Sequence, residues 1–497
     1  MSKKTSAEVL EKGSISGSAS IVDDPPSGGT MTRIDPDAER RLVRKLDWRL
    51  LPLFTLIYMA NFIDRTAIGN ARVAGLEKDL GMSGSDFNKA LTVFYIFYTA
   101  SDIPSNLILK RFGTVWLAVL VVAFGLVALG SAFMTSYAGL IVTRVFLGLS
   151  EGGTLCGLVY TLSQFYRRHE LVLRIGIFFG LAPSLSGAFG GLLASGLLRV
   201  DDMGSINSWR KILLVEGIIT TLLGIILVFT IPSGPQTTKM LTEDERNLAI
   251  ARLKEDRKVQ GDKLKERTTL RLVLHSFNVH TVVCIILFII LNVSFQGLSI
   301  FLPTIVNGLG TYSTVEVQLR TVPPYLISAL WAIASGVASF RFRNRFAAVF
   351  ASLLLLVIGY SIAIGTTDTR ARYGACFLMV AGGGAGGPMV MTWGTENASP
   401  DTMRAVASAA IPGFGALGAI VSVWTYVPSD APKYLNGNAA NLGCACLACV
   451  LSIFLVLYLR WENRRRDAGK KDHVVEGKSQ EELENMGYKH PEFRYQL

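Results

Sequence analysis

The chain is poor in charged residues and in the side chains from which catalytic and metal sites are built. Of its 497 residues only 18% are charged and 50% are hydrophobic, whereas a soluble domain carries about 25% charged residues. Its five histidines are scattered, so they form no cluster with a nucleophile or an acid. This composition excludes an ordinary soluble domain. We expect a membrane protein that is not an enzyme and uses no cofactor.

Cysteine is also scarce, and its spacing does not suit a metal. Cys444, Cys446 and Cys449 lie close together, but the first two project to nearly opposite sides of a helix, and no histidine accompanies them. We therefore predict no metal site and treat the cysteines as small apolar side chains.

Long apolar segments make up most of the chain. A membrane-spanning helix needs about 20 mostly apolar residues. About twelve segments meet this requirement: 50–68, 89–109, 114–134, 138–160, 172–197, 211–231, 279–302, 317–340, 346–365, 374–394, 405–427 and 439–460. The pattern predicts an all-α membrane protein with two six-helix bundles, residues 46–231 and 278–461.

Polar segments flank and separate these bundles. Residues 1–45 are rich in Ser, Gly and Pro and lack the apolar core of a signal peptide, which predicts a disordered tail. Residues 462–497 form a second tail, and residues 232–277 form a linker. Within the linker, Thr242 and Glu245 have the spacing of a capping box, which predicts a short surface helix. That helix is either a brace or a connector, and we favour the connector.

Basic residues follow the apolar segments mainly on one side of the predicted membrane. They are Arg40, Arg41, Arg44, Lys45, Lys110, Arg111, Arg167, Arg168, Arg341, Arg343, Arg345, Arg464, Arg465 and Arg466. The positive-inside rule assigns this side to the cytosol, with both termini. The net charge of +11 then reflects topology, and we expect the lipid bilayer and no nucleic acid as a partner. We predict a multi-pass protein of the plasma membrane.

Two apolar segments each carry a cation and an acid, and each such side chain costs at least a few kcal/mol in lipid. These side chains are Asp64, Arg65, Arg144 and Glu151. Such residues usually face the interior of a bundle and mark a substrate or proton path. We predict that Arg65, with Arg144 as second choice, binds an anion through its planar fork. Asp64 and Glu151 would then carry protons. The alternative is that these charges only pair to hold helices together.

Glycine patterns predict close helix packing and one deformable helix. Gly176, Gly180, Gly187 and Gly191 have the four-residue spacing that lets helices approach closely. Residues 382–387 contain five glycines before Pro388, but they lack the Gly-Lys-Ser/Thr ending of a phosphate loop. We predict a locally deformable helix that lines a transport cavity.

Several motifs resemble those of one transporter family. They are Asn61-Phe-Ile-Asp-Arg-Thr-Ala-Ile-Gly-Asn70, Asp102-Ile-Pro-Ser-Asn106, Arg144-Val-Phe-Leu-Gly-Leu-Ser-Glu151, Trp209-Arg-Lys-Ile-Leu-Leu-Val-Glu216-Gly217, Phe301-Leu-Pro303, Val322-Pro-Pro-Tyr325 and Trp393-Gly-Thr-Glu-Asn397. From about residue 45 to 460 the chain resembles the anion:cation symporter branch of the major facilitator superfamily, in particular its fungal allantoate, nicotinate and pantothenate permeases.

The resemblance implies the major facilitator fold and a role for the four buried charges in protonation and anion binding. It also implies that Asn397 lies near the cavity, with Trp393 one turn away. Asn292 and Gln296 are further candidates for hydrogen bonds in the cavity, and ordinary interhelical bonding is the alternative.

Together these features predict a monomeric secondary transporter that imports a small organic anion of the carboxylate, vitamin or ureide type with protons. Residues 180–187 lack the adjacent Gly-Pro of the drug-antiporter motif, which favours import over drug efflux. The alternatives are an exporter of an acidic metabolite and a transporter-like nutrient sensor.

Overall fold

Long α-helices account for most of the described structure. The computed structural model describes residues 35–202, 204, 206, 208–261, 274–399, 401–475, 477 and 486–497. The helices are α1 (Pro36–Ala71), α2 (Asp86–Phe112), α3 (Val115–Ser131), α4 (Tyr137–Glu151), α5 (Thr154–Ser163), α6 (Arg168–Leu197), α7 (Ser208–Thr230), α8 (Glu243–Gly261), α9 (Val279–Asn307), α10 (Thr314–Phe342), α11 (Arg345–Gly365), α12 (Thr369–Glu396), α13 (Asp401–Ser422) and α14 (Leu435–Asp467).

The predicted all-helical membrane fold is confirmed, and each of the twelve predicted apolar segments is mostly helical, although 405–427 runs five residues past the end of α13. Among the described residues, eight helical segments are long and apolar enough to cross a membrane, with α4 and α5 counted together. The helix α3 and most of α13 are shorter apolar helices. The helices α1 and α2 complete the set and carry more polar or charged side chains, such as Asp64 and Asp102.

The first helix begins earlier than we predicted. Asp35 caps α1 by accepting a hydrogen bond from the Asp37 N–H at 3.0 Å, and Pro36 occupies the first turn. Proline suits this position because the first N–H groups of a helix lack intrahelical acceptors. Residues 36–45, which we assigned to a disordered tail, are therefore helical, and residues 1–34 lie outside the described part.

The fourth membrane span is broken between α4 and α5, whereas the glycine-rich tenth span, α12, is not broken. The helix α12 is continuous through residues 382–387. Its glycines allow neighbouring helices to pack closely. A Cβ at Gly382 would lie only 2.5 Å from the Ser352 carbonyl oxygen of α11. In contrast, α4 ends at Glu151, and Gly153 has a φ of 80° before α5 begins. Glycine tolerates this left-handed conformation, which other residues rarely adopt.

Small residues allow the close packing that we predicted for α6. A Cβ at Gly187 would lie 2.5 Å from the Tyr325 ring, and one at Gly191 would lie 2.7 Å from Thr321 Oγ1. Both partners belong to α10, so α6 and α10 join the two halves of the chain.

The linker helix α8 binds the ends of α1 and α6 through ion pairs. The predicted capping box is present, since the Thr242 N–H donates to Glu245 Oε2 at 2.9 Å. Arg252 is fully buried and pairs with Glu39 at 2.7 Å and Glu170 at 2.5 Å. Lys45 pairs with Glu245 at 2.5 Å. These ion pairs fix α8 against α1 and α6. The helix is therefore a brace and not only the connector that we favoured. We call this end of the molecule the linker side.

The two halves of the chain meet tightly at the opposite end, which we call the far side. A Cβ at Gly69 of α1 would lie 2.1 Å from the Ile300 carbonyl oxygen of α9. Gln318 Nε2 donates to the Asn70 carbonyl at 3.2 Å. Asn88 Nδ2 donates to the carbonyl oxygens of Val423 and Tyr426. In this conformation the far side is therefore closed.

Candidate functional site

The closest contact among the predicted site residues joins α1 to the end of α4. Arg65 Nε donates to Glu151 Oε2 at 2.5 Å, and the two side chains are 5% and 0% exposed. Glu151 is the last residue of α4. Arg65 Nη2 and Glu151 Oε1 have no hydrogen-bond partner among the described residues. The Nη2 amino group of the guanidinium therefore has no acceptor in the described structure.

Aromatic rings surround the Arg65 guanidinium. Its carbon lies 4.3 Å from the Tyr98 ring centroid, 5.1 Å from that of Phe62 and 5.6 Å from that of Phe94. Cation–π contacts contribute about 0.5–2 kcal/mol each when partly desolvated. They stabilise the cation without satisfying its N–H groups, so the arginine remains charged and able to donate to an anion.

Arg65 lines a cavity between the two halves of the chain. The cavity is bounded on one side by aromatic residues of α1, α2 and α6 and on the other by residues of α9, α12 and α13. The predicted residues Asn292 and Gln296 also line it. Asn292 Nδ2 donates to the Gly415 carbonyl at 2.6 Å, which is the interhelical bond that we gave as the alternative to a hydrogen bond in the cavity.

Arg144 and Asp64 lie behind this pair, within the N-terminal half. Both are buried, with exposed fractions of 2% and 3%. Arg144 interacts electrostatically with Glu151 and Asp64, while its Nε has no hydrogen-bond partner among the described residues. The cavity lining in the described structure includes Arg65 but neither Arg144 nor Asp64.

Trp393 and Asn397 lie apart from the other predicted residues. They occupy the linker-side end of α12 and bind residues 486–497, which we call the C-terminal segment. Trp393 Nε1 donates to the Gln496 carbonyl at 3.1 Å, and Asn397 Nδ2 donates to the same oxygen at 2.9 Å. The Gln496 N–H donates to Asn397 Oδ1 at 2.7 Å. Because these polar groups already have partners outside the cavity, we leave both residues out of the proposed substrate site.

Sequence reasoning missed two parts of the site. Tyr95 and Tyr98 of α2 line the cavity beside Arg65, but aromatic residues in apolar helices are common and gave no signal. Glu216 of α7 is 2% exposed, and it is an acid inside an apolar span. The rule that singled out Asp64 applies equally to Glu216.

Comparison with known proteins establishes the family. The family model described as Major Facilitator Superfamily matches residues 54–423. The chain belongs to the Major Facilitator Superfamily. Among curated members, the MFS-type transporter efuF of Hormonema carpetanum is 34% identical over 442 residues, which cover 87% of this chain and 88% of that protein. An uncharacterized transporter of Schizosaccharomyces pombe is 34% identical over 441 residues, or 87% of this chain and 85% of that protein.

Solved structures of two transporters have the same fold. The proton:xylose symporter XylE superposes with a TM-score of 0.64 at 16% identity, covering 83% of this chain and 96% of XylE. A bacterial homolog of the human lysosomal transporter Spinster superposes with a TM-score of 0.60 at 16% identity, covering 82% of this chain and 96% of that protein. The superfamily membership and the fold identify a secondary transporter that crosses the membrane several times.

Proposed function

We propose that this transporter couples the import of a small organic anion to protons, as a member of the anion:cation symporter branch. One observation carries the proposal. Arg65 is a permanent cation in a cavity between the halves, paired through one edge with Glu151, while its Nη2 donor is unused. A carboxylate is the ligand class that matches this planar fork.

The Arg65–Glu151 pair supplies the coupling. Inside a membrane protein an unpaired charge costs several kcal/mol, so Arg65 needs one anionic partner at a time. When Glu151 accepts a proton it becomes neutral, and Arg65 is then free to bind the carboxylate of the substrate. When the substrate leaves, Glu151 releases its proton and pairs with Arg65 again. Proton binding and substrate binding therefore favour one another.

Residues of the C-terminal half complete the proposed site. Asn292 and Gln296 face the cavity from α9 and can bind polar groups of the substrate other than the carboxylate. Because the substrate would contact both halves, its binding would favour their closure around it. We place the linker side in the cytosol of a plasma-membrane protein, since its basic residues follow the positive-inside rule.

Uptake into proteoliposomes tests the function with matched probes. Radiolabelled nicotinate, pantothenate and allantoate are compared with nicotinamide, which resembles nicotinate but is uncharged. We expect saturable uptake of at least one anion, several-fold stimulation by an inward proton gradient, and none for nicotinamide. Equal uptake with and without the gradient would contradict proton coupling. If the proton gradient drives the anion only out of the cytosolic side, the alternative function, export of an acidic metabolite, is favoured.

A further inference from the structure

A second pair of buried carboxyl groups lies behind the Arg65–Glu151 pair. Glu216 of α7 and Asp64 of α1 are 2% and 3% exposed. None of their four carboxyl oxygens has a hydrogen-bond partner within 3.5 Å among the described residues, and the Thr220 hydroxyl of α7 is the neutral polar group that acts on Asp64. A buried carboxylate without partners is costly, whereas a protonated carboxyl group tolerates such surroundings far better.

The position of Glu216 connects it with the polar face of α1. A Cβ built on Gly190 of α6 would lie 3.9 Å from Glu216 Oε1, 3.8 Å from Thr66 Oγ1 and 3.5 Å from Asn70 Nδ2. Glu216 therefore lies where α6, α7 and α1 meet, next to the turns of α1 that follow Asp64. Asp64 in turn interacts electrostatically with Glu216 and Glu151. The three acids form a series that leads from the cavity into the N-terminal half.

The charges in this region do not balance if every acid is ionised. Arg65 pairs with Glu151, which leaves Arg144 as the cation near Asp64. The intramembrane part of α6 and the whole of α3 carry no ionisable side chain that faces Glu216. At the start of α7, Lys211 pairs with Asp202, and Arg210 donates to the carbonyl oxygens of Ala132 and Met134. Arg72, in the segment after α1 that packs against α7, pairs with Glu77 at 2.8 Å. We therefore expect one of the two acids, Asp64 or Glu216, to be neutral, and Glu216 is the one on which no cation acts in the described structure.

We propose that Glu216 is a second proton-binding residue, which exchanges its proton with Asp64. The Glu216 carboxyl group transfers its proton to the Asp64 carboxylate, so that Glu216 becomes ionised and Asp64 neutral. Asp64 then passes this proton to ionised Glu151, which releases it into the cavity, and Glu216 is protonated again along the same route in reverse. Glu151 is the next acceptor toward the cavity. The proposal rests on the proton-coupled function proposed above and extends it. Import of a monoanion with one proton moves no net charge, whereas import with two protons moves one positive charge inward.

Infrared spectroscopy tests proton binding at Glu216 without any substrate. The purified full chain is measured in H2O and in D2O at neutral pH, and the carbonyl stretch of protonated carboxyl groups is compared. We expect Glu216→Gln to remove one component of this signal. The control Glu316→Gln should remove none, because the Glu316 carboxyl group is half-exposed and paired with Arg320. Glu216→Asp is a second variant, which should keep a shifted component if the glutamine variant folds poorly. A wild-type signal in folded Glu216→Gln protein would overturn the proposal.

An imposed membrane potential tests the consequence for transport. With the anion that the wild type accumulates, we expect an inside-negative potential to stimulate uptake several-fold, and Glu216→Gln to lose this stimulation while keeping its response to a proton gradient. Stimulation that persists in Glu216→Gln would contradict a second carried proton. If none of the anions is transported, the function proposed above fails, and the infrared comparison still decides whether Glu216 binds a proton.

Discussion

Arg65 determines the chemistry of the cavity because a guanidinium keeps its charge even in a membrane interior. Its surroundings supply one carboxylate at 2.5 Å and the faces of three aromatic rings. This combination stabilises the cation while leaving the anionic partner exchangeable. The charge of Glu151 is therefore the variable that decides whether Arg65 is available to a substrate.

Replacing Glu151 by glutamine should separate binding from coupling. Glutamine resembles the neutral, protonated glutamate, so Glu151→Gln leaves Arg65 available to the substrate at every pH. We expect exchange of radiolabelled anion across the membrane to persist, while stimulation by an acidic outside and accumulation against a gradient are lost. Full pH dependence in Glu151→Gln would contradict the assignment, and Glu316→Gln, at a half-exposed carboxyl group outside the cavity, serves as control.

Sequence alone identified the four buried charges because the cost of ionisable groups in lipid depends only on residue type and position along an apolar segment. It could not identify the partner of Arg65, since that contact joins residues 86 positions apart in the chain. It also assigned Trp393 and Asn397 to the cavity. Their hydrogen bonds to Gln496 join residues about a hundred positions apart, which no local pattern reveals.

At the scale of helices, α4 ends at Glu151, the residue that pairs with Arg65. Gly148 and Gly152 let α2 approach: a Cβ at Gly148 would lie 2.5 Å from the Phe94 carbonyl oxygen. Gly153 then turns the chain with its positive φ. The sequence showed these glycines, but it favoured the glycine-rich part of α12 as the deformable element. A glycine in a helix serves packing or a break depending on neighbours that only the fold supplies.

Placing alanine at Gly153 should destabilise the protein. The left-handed conformation costs a residue with a Cβ about 1–2 kcal/mol, and this Cβ would lie 2.5 Å from Ser105 Oγ. We expect a lower thermal unfolding temperature in detergent for Gly153→Ala. Gly130→Ala is the control, because a Cβ there meets nothing within 4 Å and alanine favours helix. Equal stability of the two variants would show that the break carries no strain.

The C-terminal segment gives a second test at this scale. Trp393→Phe and Asn397→Ala remove hydrogen bonds to Gln496, each of which contributes about 0.5–1.5 kcal/mol. We expect faster limited proteolysis within residues 486–497 and an unchanged KM for anion uptake. If instead the KM for anion uptake rises at least fivefold without faster proteolysis, Trp393 and Asn397 belong to the substrate site.

At the scale of the whole molecule, the contact between α1 and α9 closes the far side. Gly69 faces the Ile300 carbonyl oxygen, and Gln318 donates to the Asn70 carbonyl. The all-helical fold and its spans could be predicted from apolar segments and the resemblance of motifs. The conformation could not, because the same sequence must adopt both an open and a closed far side during transport.

A larger side chain at Gly69 should prevent this closure. Because its Cβ would lie 2.1 Å from the Ile300 oxygen, we expect Gly69→Val to lower the transport rate at least tenfold. A cysteine at Gln318, in a chain whose native cysteines are replaced, should then react faster with an impermeant maleimide. Gly374→Val is the control, since a Cβ at Gly374 meets nothing within 4 Å. Unchanged transport and labelling would contradict the closure.

Arg65→Lys tests the central claim most directly, through saturable uptake of the transported anion in proteoliposomes. Lysine keeps the positive charge but loses the planar fork that fits a carboxylate. We expect kcat/KM to fall at least tenfold. Arg320→Lys is the matched control, because Arg320 also pairs with a glutamate and lies over aromatic rings, and it should transport normally. Uptake by Arg65→Lys equal to that of the wild type would contradict Arg65 as the anion ligand.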